Sequence, residues 1–380
     1  MTGREKIEAA LSLDGSPSFA AVTCYQGIFL RDHWEQATDA PWWALHDPRP
    51  EVAAQPWLDM IRRTDEDWFP VHYGYSREAR EELSIEAEGE QAWQVNRRTG
   101  ERHALHRPPI GGDQPDPDSP QVPPGAHAQT AEELEAALDA TYGPRPGPLT
   151  APAEGASDYP AMLLRELGQD RMPISHVGSP WWLCHSIWGF TGLMERTVET
   201  PELVKLACER LLEHATRQAQ YAAGAGARLI WIEDCMSDMI SPVQCRDFSL
   251  AYVRPLVEAV HEAGMLAVHY YCGRPDDRWE YLLDTGADAL ALEEGKKGFD
   301  VDIMQVAEMV DGRMAMLGNI DAIAVLQNGS DAALRAEVAR QIEAGRRNRN
   351  RFVVSVGSPV TPGTPIARVR QYCDLVHELA

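Results

Sequence analysis

The stretch ARLIWIEDC (227–235), then SPVQCRDFSLAYVRPLVEAVHEAG (241–264), then MLAVHYYC (265–272), reads as strand, helix, strand. Both short runs are rich in β-branched and aromatic residues. The longer segment between them has apolar residues at helical spacing, with Pro242 suited to a first helical turn and Gly264 to a stop. Such a unit places two strands side by side in a parallel sheet.

The same rhythm extends outward. Downstream come ADALALEE (287–294) with DVDIMQVAEMVDG, MAMLGNID (314–321) with a helical stretch ending near Arg347, and RFVVSVGS (351–358) with TPIARVRQYCDLVHEL. Upstream, FAAVTCY (19–25), DWFPVHY (67–73) and MPISHVGSP (172–180) have strand character. The eight runs predict an α/β fold of the (β/α)8 TIM-barrel type, with an open doubly wound sheet as the alternative. No GxGxxG fingerprint favours the open sheet, since AGAGA (223–227) precedes a strand rather than following one.

Residues 78–170 interrupt the pattern. EGEQAWQVNRRTGERHALHRP reads as two short strands around an Arg-Thr-Gly turn, and GGDQPDPDSPQVPPGAHAQ (111–129) as a proline- and acid-rich loop. With so little apolar periodicity, this stretch is expected to be an excursion near the barrel mouth, within one domain spanning 1–380.

Composition narrows the partners. Against 35 Lys and Arg stand 58 Asp and Glu, a formal charge of −23, so no broad positive field exists for nucleic acid. No run reaches the ~18 to 20 apolar residues of a membrane span. The N-terminal MTGREKIEAALSLDGSPSF has no apolar signal region, and the mean hydropathy is −0.36, so a cytoplasmic, soluble chain is expected. Seven scattered cysteines suit reduced thiols rather than a disulfide framework.

In a barrel the active site is built at the C-terminal strand ends. Here those ends carry Glu233, Asp234 and Cys235; His269, Tyr270, Tyr271 and Cys272; Glu293 and Glu294; Asn319 and Asp321; and Ser358. Glu233, Asp234 and His269 are the candidate acid–base residues. Tyr271, Asn319, Asp321, Ser358, Trp181 and Trp182 are candidates for substrate contact. His269 and Cys272 are of the types zinc prefers, and Cys235 or Glu233 could complete a set. Each has a structural alternative: a buried histidine beside a buried thiol, helix-capping acids (Asp321 above all), and tryptophans that only cover the core.

Several stretches together carry a family resemblance: REKIEAAL, ISP (240–242) with Tyr252 and Pro255, Cys272-Gly273, LLDTGADAL, GNID (318–321) and VGSPVTPGTP (356–365). On these the chain resembles the uroporphyrinogen decarboxylase superfamily, in particular its methyltransferase branch. The resemblance implies a barrel that either decarboxylates a tetrapyrrole or moves a methyl group between a corrinoid protein and a thiol or pterin. Where the decarboxylases carry Met-Arg-Gln-Ala-Gly-Arg-Tyr this chain has AAVTCYQGIFLRDHW, and their late Gly-His-Gly is Gly-Ser-Pro. Thiol-using methyltransferases of this type bind zinc through His-x-Cys and a late cysteine. Here the first motif is His269-Tyr-Tyr-Cys272 and the late position is Ser358. A pterin acceptor, held by Asn319 and by Glu233 or Asp234, fits that departure better. The chain has no DxHxxG motif, so the resemblance implies a corrinoid brought by a partner protein. The expectation is therefore a corrinoid-linked methyltransferase acting on a pterin, thiol or small methylated compound. A decarboxylase or lyase using the rim acids and Arg274, and a non-catalytic ligand-binding relative, are the alternatives.

Overall fold

All eight apolar runs become parallel strands of one sheet. The computed structural model describes residues 1–111, 122–295 and 298–380. In chain order the strands are β1 (Ala21–Val22), β2 (Trp68–Pro70), β3 (Leu83–Glu88), β4 (Gln91–Asn96), β5 (Arg102–Leu105), β6 (Met172–Gly178), β7 (Leu229–Cys235), β8 (Leu266–Cys272), β9 (Ala289–Leu292), β10 (Ala315–Leu317) and β11 (Phe352–Ser355). The large sheet runs β1-β11-β10-β9-β8-β7-β6-β2. It is the single-domain (β/α)8 barrel that the rhythm predicts.

Two carboxylates join its ends. β1 has only two residues and no ladder to β2. Instead, the Asp67 N–H donates to Ala21 O at 2.9 Å, while Asp67 Oδ2 accepts from the Ala21 N–H at 2.7 Å. Next to it, Glu66 Oε2 accepts from the Thr23 N–H (2.9 Å), the Thr23 hydroxyl (2.7 Å) and the Gln26 amide (3.0 Å). Burial pushes the Glu66 carboxyl up to about 7, against the pull of these donors.

Both faces of the central strands are buried, so they read as continuous apolar runs. Ile230 and Ile232 of β7 pack with Ala215, Ala219, Val253 and Val257 from the helices Pro201–Gly224 and Ala251–Glu262. Trp231, between them, turns the other way and meets Trp68 of β2 and Tyr270 of β8 across the barrel interior. Odd-numbered positions of β7 therefore face the interior, and so do even-numbered positions of β8, because Trp231 pairs with Val268 and Glu233 with Tyr270.

The helix expected over 241–264 forms over residues 242–262, but it is not α-helical throughout. A wide π turn, Arg246–Leu250, separates Pro242–Cys245 from Ala251–Glu262. Pro255, which has no N–H for the carbonyl four residues back, lies just beyond it.

Residues 78–170 hold more order than their sequence suggests. β3, β4 and β5 form an antiparallel sheet, and the expected turn carries Gly100 at φ 74° with Asn96 Oδ1 accepting from the N–H groups of Arg98 and Thr99. β3 goes beyond the two strands expected here, because LSIEAE is half exposed and offers little apolar signal. The interval also contains the helices Ala131–Tyr142 and Asp158–Leu167, the latter burying Leu163 and Leu167. Most of the acid-rich loop, residues 112–121, lies outside the described residues. Among the described residues, no helix is long and apolar enough to cross a membrane.

Candidate active site

Strand parity sorts the predicted site residues into two groups. Glu233 and Cys235 on β7 face the interior together with Tyr270 and Cys272 on β8, whereas Asp234, His269 and Tyr271 face the helices.

The outward group is a buried polar hub. The Asp234 carboxylate accepts hydrogen bonds from the hydroxyls of Ser179 (2.9 Å), Ser249 (2.8 Å to each oxygen) and Ser237 (3.2 Å), and His269 Nε2 lies 3.3 Å away. Asp234 and His269 are fully buried. These bonds tie the ends of β6, β7 and β8 to the π turn. Asp234 and His269, expected as acid–base residues, are held away from the mouth because each lies one position out of phase with Glu233 or Tyr270. Tyr271 is likewise buried and donates to Arg274 O at 3.2 Å.

The expected metal ligands are divided by the same parity. Cys272 lies opposite Cys235 in the β7–β8 ladder, and the two thiols are hydrogen-bonded; His269 points to the other side. In a His-x-Cys motif both ligands would share a face, and the position that does so with Cys272 is Tyr270, whose hydroxyl donates to Gly357 O at 3.1 Å. Ser358, in place of the late cysteine, is buried and donates to Glu294 Oε1. His269, Cys272, Cys235 and Glu233 thus do not converge, and among the described residues no three His, Cys, Asp or Glu form a group that could hold a metal ion.

The predicted substrate contacts each have partners within the protein. Asn319 donates to Val301 O (2.8 Å) and Glu293 O (3.3 Å) and accepts from Gln341. Asp321 accepts from the N–H groups of Ile323 and Ala324 as a helix cap. Trp181 is fully buried, with its indole N–H on Cys235 O at 3.1 Å and its ring stacked on Phe248. Trp182 is partly exposed and stacks on His185.

What occupies the mouth is a constellation that only Glu233 announced. His176 Nδ1 lies 3.0 Å from Glu233 Oε1, and the two side chains remain 27% and 21% exposed. Rings surround them: Tyr25 lies 5.7 Å from His176, 5.6 Å from Tyr270 and 6.2 Å from Trp231, and Trp231 stacks on Tyr270 at 4.9 Å. Tyr25 has φ 55° and Met236, directly after β7, has φ 62°. A bulky residue in the left-handed region is uncommon, and such outliers gather at functional sites.

The electrostatics there are one-signed. Burial, then Glu233 and the thiols of Cys235, Cys24 and Cys272, hold the Tyr25 hydroxyl far above its ordinary range. The bond of the Cys235 S–H to Cys272, then burial and the charges of Asp234 and Glu233, keep Cys235 a neutral thiol. The rim arginines after β8 are engaged elsewhere, Arg274 with Asp276 at 2.7 Å and Arg278 with Asp277 at 2.8 Å.

The family model described as "Uroporphyrinogen decarboxylase (URO-D)" matches residues 156–379, more than half of the chain. The uroporphyrinogen decarboxylase of Pseudomonas aeruginosa is 28% identical over 228 residues, covering 57% of this chain and 62% of that protein. That of Legionella pneumophila is 24% identical over 230 residues, covering 59% and 63%. The chain thus matches about three fifths of the length of these curated relatives. A methyltransferase from Methanosarcina mazei superposes over 100% of this chain and 99% of its own, with a TM-score of 0.64 and 18% identity, a likeness of fold.

Proposed function

The chain belongs to the uroporphyrinogen decarboxylase family, and from that premise we propose that it is an enzyme transferring a methyl group between a corrinoid protein and a small acceptor or donor. The observation that carries the proposal is the His176–Glu233 pair, partly exposed among aromatic rings. The nitrogen, oxygen or sulfur that gains or loses a methyl group also changes its affinity for a proton. His176, oriented through Nδ1 by Glu233, is the residue that gives or takes that proton. Tyr25, Trp231 and Tyr270 bound the space and lower its effective dielectric, which strengthens the interaction of Glu233 with whatever enters.

A corrinoid held by a partner protein would supply the methyl-carrying centre, approaching over the mouth where Met239 and Val243 are exposed. No step runs through zinc, because His269 faces away from Cys272, Cys235 and Glu233 in the β7–β8 ladder. Cys235, held as a neutral thiol by its bond to Cys272 and by burial, is not an activated nucleophile in this arrangement.

A second reading, decarboxylation, is favoured by the names of the curated relatives. Against it, a polycarboxylate would meet Glu233 and Glu293 at the mouth, with Arg274 and Arg278 already paired to acids. Demethylation of methylcobalamin, followed spectroscopically with pterin, thiol and amine partners, tests the proposal. Absence of demethylation with all three, together with carbon dioxide release from a carboxylated tetrapyrrole, would replace the first reading with the second.

A further inference from the structure

We infer that the mouth framed by Tyr25, His176, Trp231, Tyr270 and Glu233 receives a small N-methylated ammonium compound that also carries an acceptor oxygen. The word "methylated" rests on the methyl-transfer reading above; the cationic character rests on the site itself. Aromatic faces attract ammonium groups through their quadrupoles, and most strongly where water is thin. Tyr25 is the ring that solvent reaches, held over the site by a left-handed backbone and by Gln26, whose amide is anchored to Glu66. Glu233 adds a negative charge beside it. Glu293 acts on Tyr270 with the same sign. Of the groups that act on the two rings, the carboxylates are Glu233 on Tyr25 and Glu293 on Tyr270, and the basic group beside them, His176, is already paired with Glu233. A simple anion would be repelled, and a neutral compound would leave this field unused.

The acceptor oxygen follows from a different observation. The Trp231 indole N–H sits among these rings at 1% exposure and has no hydrogen-bond partner among the described residues. An indole can only donate, and a buried donor left unmatched is costly, so a ligand oxygen is the group it lacks. An ammonium on the Glu233 side and an oxygen on the Trp231 side describe a betaine-like or amino-alcohol compound.

Equilibrium binding to the full chain tests this without turnover. Choline, glycine betaine and 3,3-dimethylbutan-1-ol, the uncharged shape-match of choline, are titrated calorimetrically. Choline is expected to bind about tenfold more tightly than its neutral match. Glycine betaine should in addition move one tryptophan indole N–H resonance downfield. Glu233→Gln, which keeps the side chain's shape, should remove most of the preference for charge, as should Tyr25→Leu. Equal affinity for choline and the neutral alcohol, or no binding of either cation at millimolar concentration, would overturn the inference. If the cations bind and methylcobalamin is never consumed, the cation site stands and the methyl-transfer reading fails. If a neutral methyl donor is turned over while the cations are ignored, the reverse holds.

Discussion

His176 and Glu233 meet diagonally: in the β6–β7 ladder His176 lies opposite Trp231 and Glu233 opposite Gly178, yet His176 Nδ1 reaches Glu233 Oε1 at 3.0 Å. The contact therefore depends on two side chains leaning toward each other at the mouth, and either can be altered without breaking the ladder. Glu233→Gln is expected to lower the rate of methyl transfer by about 10²-fold or more, the contribution of a positioned acid–base group, while the thermal unfolding midpoint stays in place. Stopped-flow rates and calorimetry on the same preparation check both halves. An unchanged rate would remove the pair from the mechanism.

Asp234 is expected to matter for stability rather than chemistry. Asp234→Ala strips the acceptor from Ser179, Ser237, Ser249 and His269 together, and should cost about 3 kcal/mol in urea unfolding. His269→Ala should cost less, and should leave any zinc content of the purified protein unchanged. A stoichiometric zinc lost in His269→Ala would mean that His269 reaches a metal after all.

Glu66 ties stability to pH. Its carboxyl titrates near 7 in the folded barrel, against an ordinary value of 4.5, because it is wholly buried. The folded state then holds more protons than the unfolded state between these values, so stability falls as pH rises from about 4.5 to 7. The displacement corresponds to about 3 kcal/mol, greatest below pH 4.5 and lost above 7. Urea unfolding across this range should show a slope that Glu66→Gln flattens; parallel slopes in the two proteins would refute it.

Gly357 is required for space. A Cβ there would overlap Glu294 Oε2 and lie 2.5 Å from Glu294 N, and backbone cannot step aside as a side-chain tip can. Gly357→Ala should destabilise the protein by about 2 kcal/mol and shift the carbonyl that accepts from Tyr270. Unfolding and tyrosine fluorescence would register the two effects.

Much of the site escaped the sequence for a local reason. His176 sits in MPISHVGSP as a lone titratable residue within an apolar run, and Tyr25 follows a two-residue strand. The one available signal was parity: His176 is in phase with Gly178, the ladder partner of Glu233. Tyr25 gave no signal, because its left-handed backbone is imposed by tertiary contacts and no glycine or asparagine marks it.

ARLIWIEDC and MLAVHYYC by themselves determined that the chain forms parallel strands and that, with six more such runs, the sheet becomes a barrel. Period and count favour that, with no glycine fingerprint for the open sheet. Which residues of those strands reach the mouth was decided only by the tertiary structure. A parallel barrel strand is apolar on both faces, so alternation runs along it without a mark saying which phase is inward. Trp231 meeting Trp68 and Tyr270 across the interior settles that phase. It sends Glu233, Cys235 and Cys272 inward, and Asp234 and His269 out toward the helices.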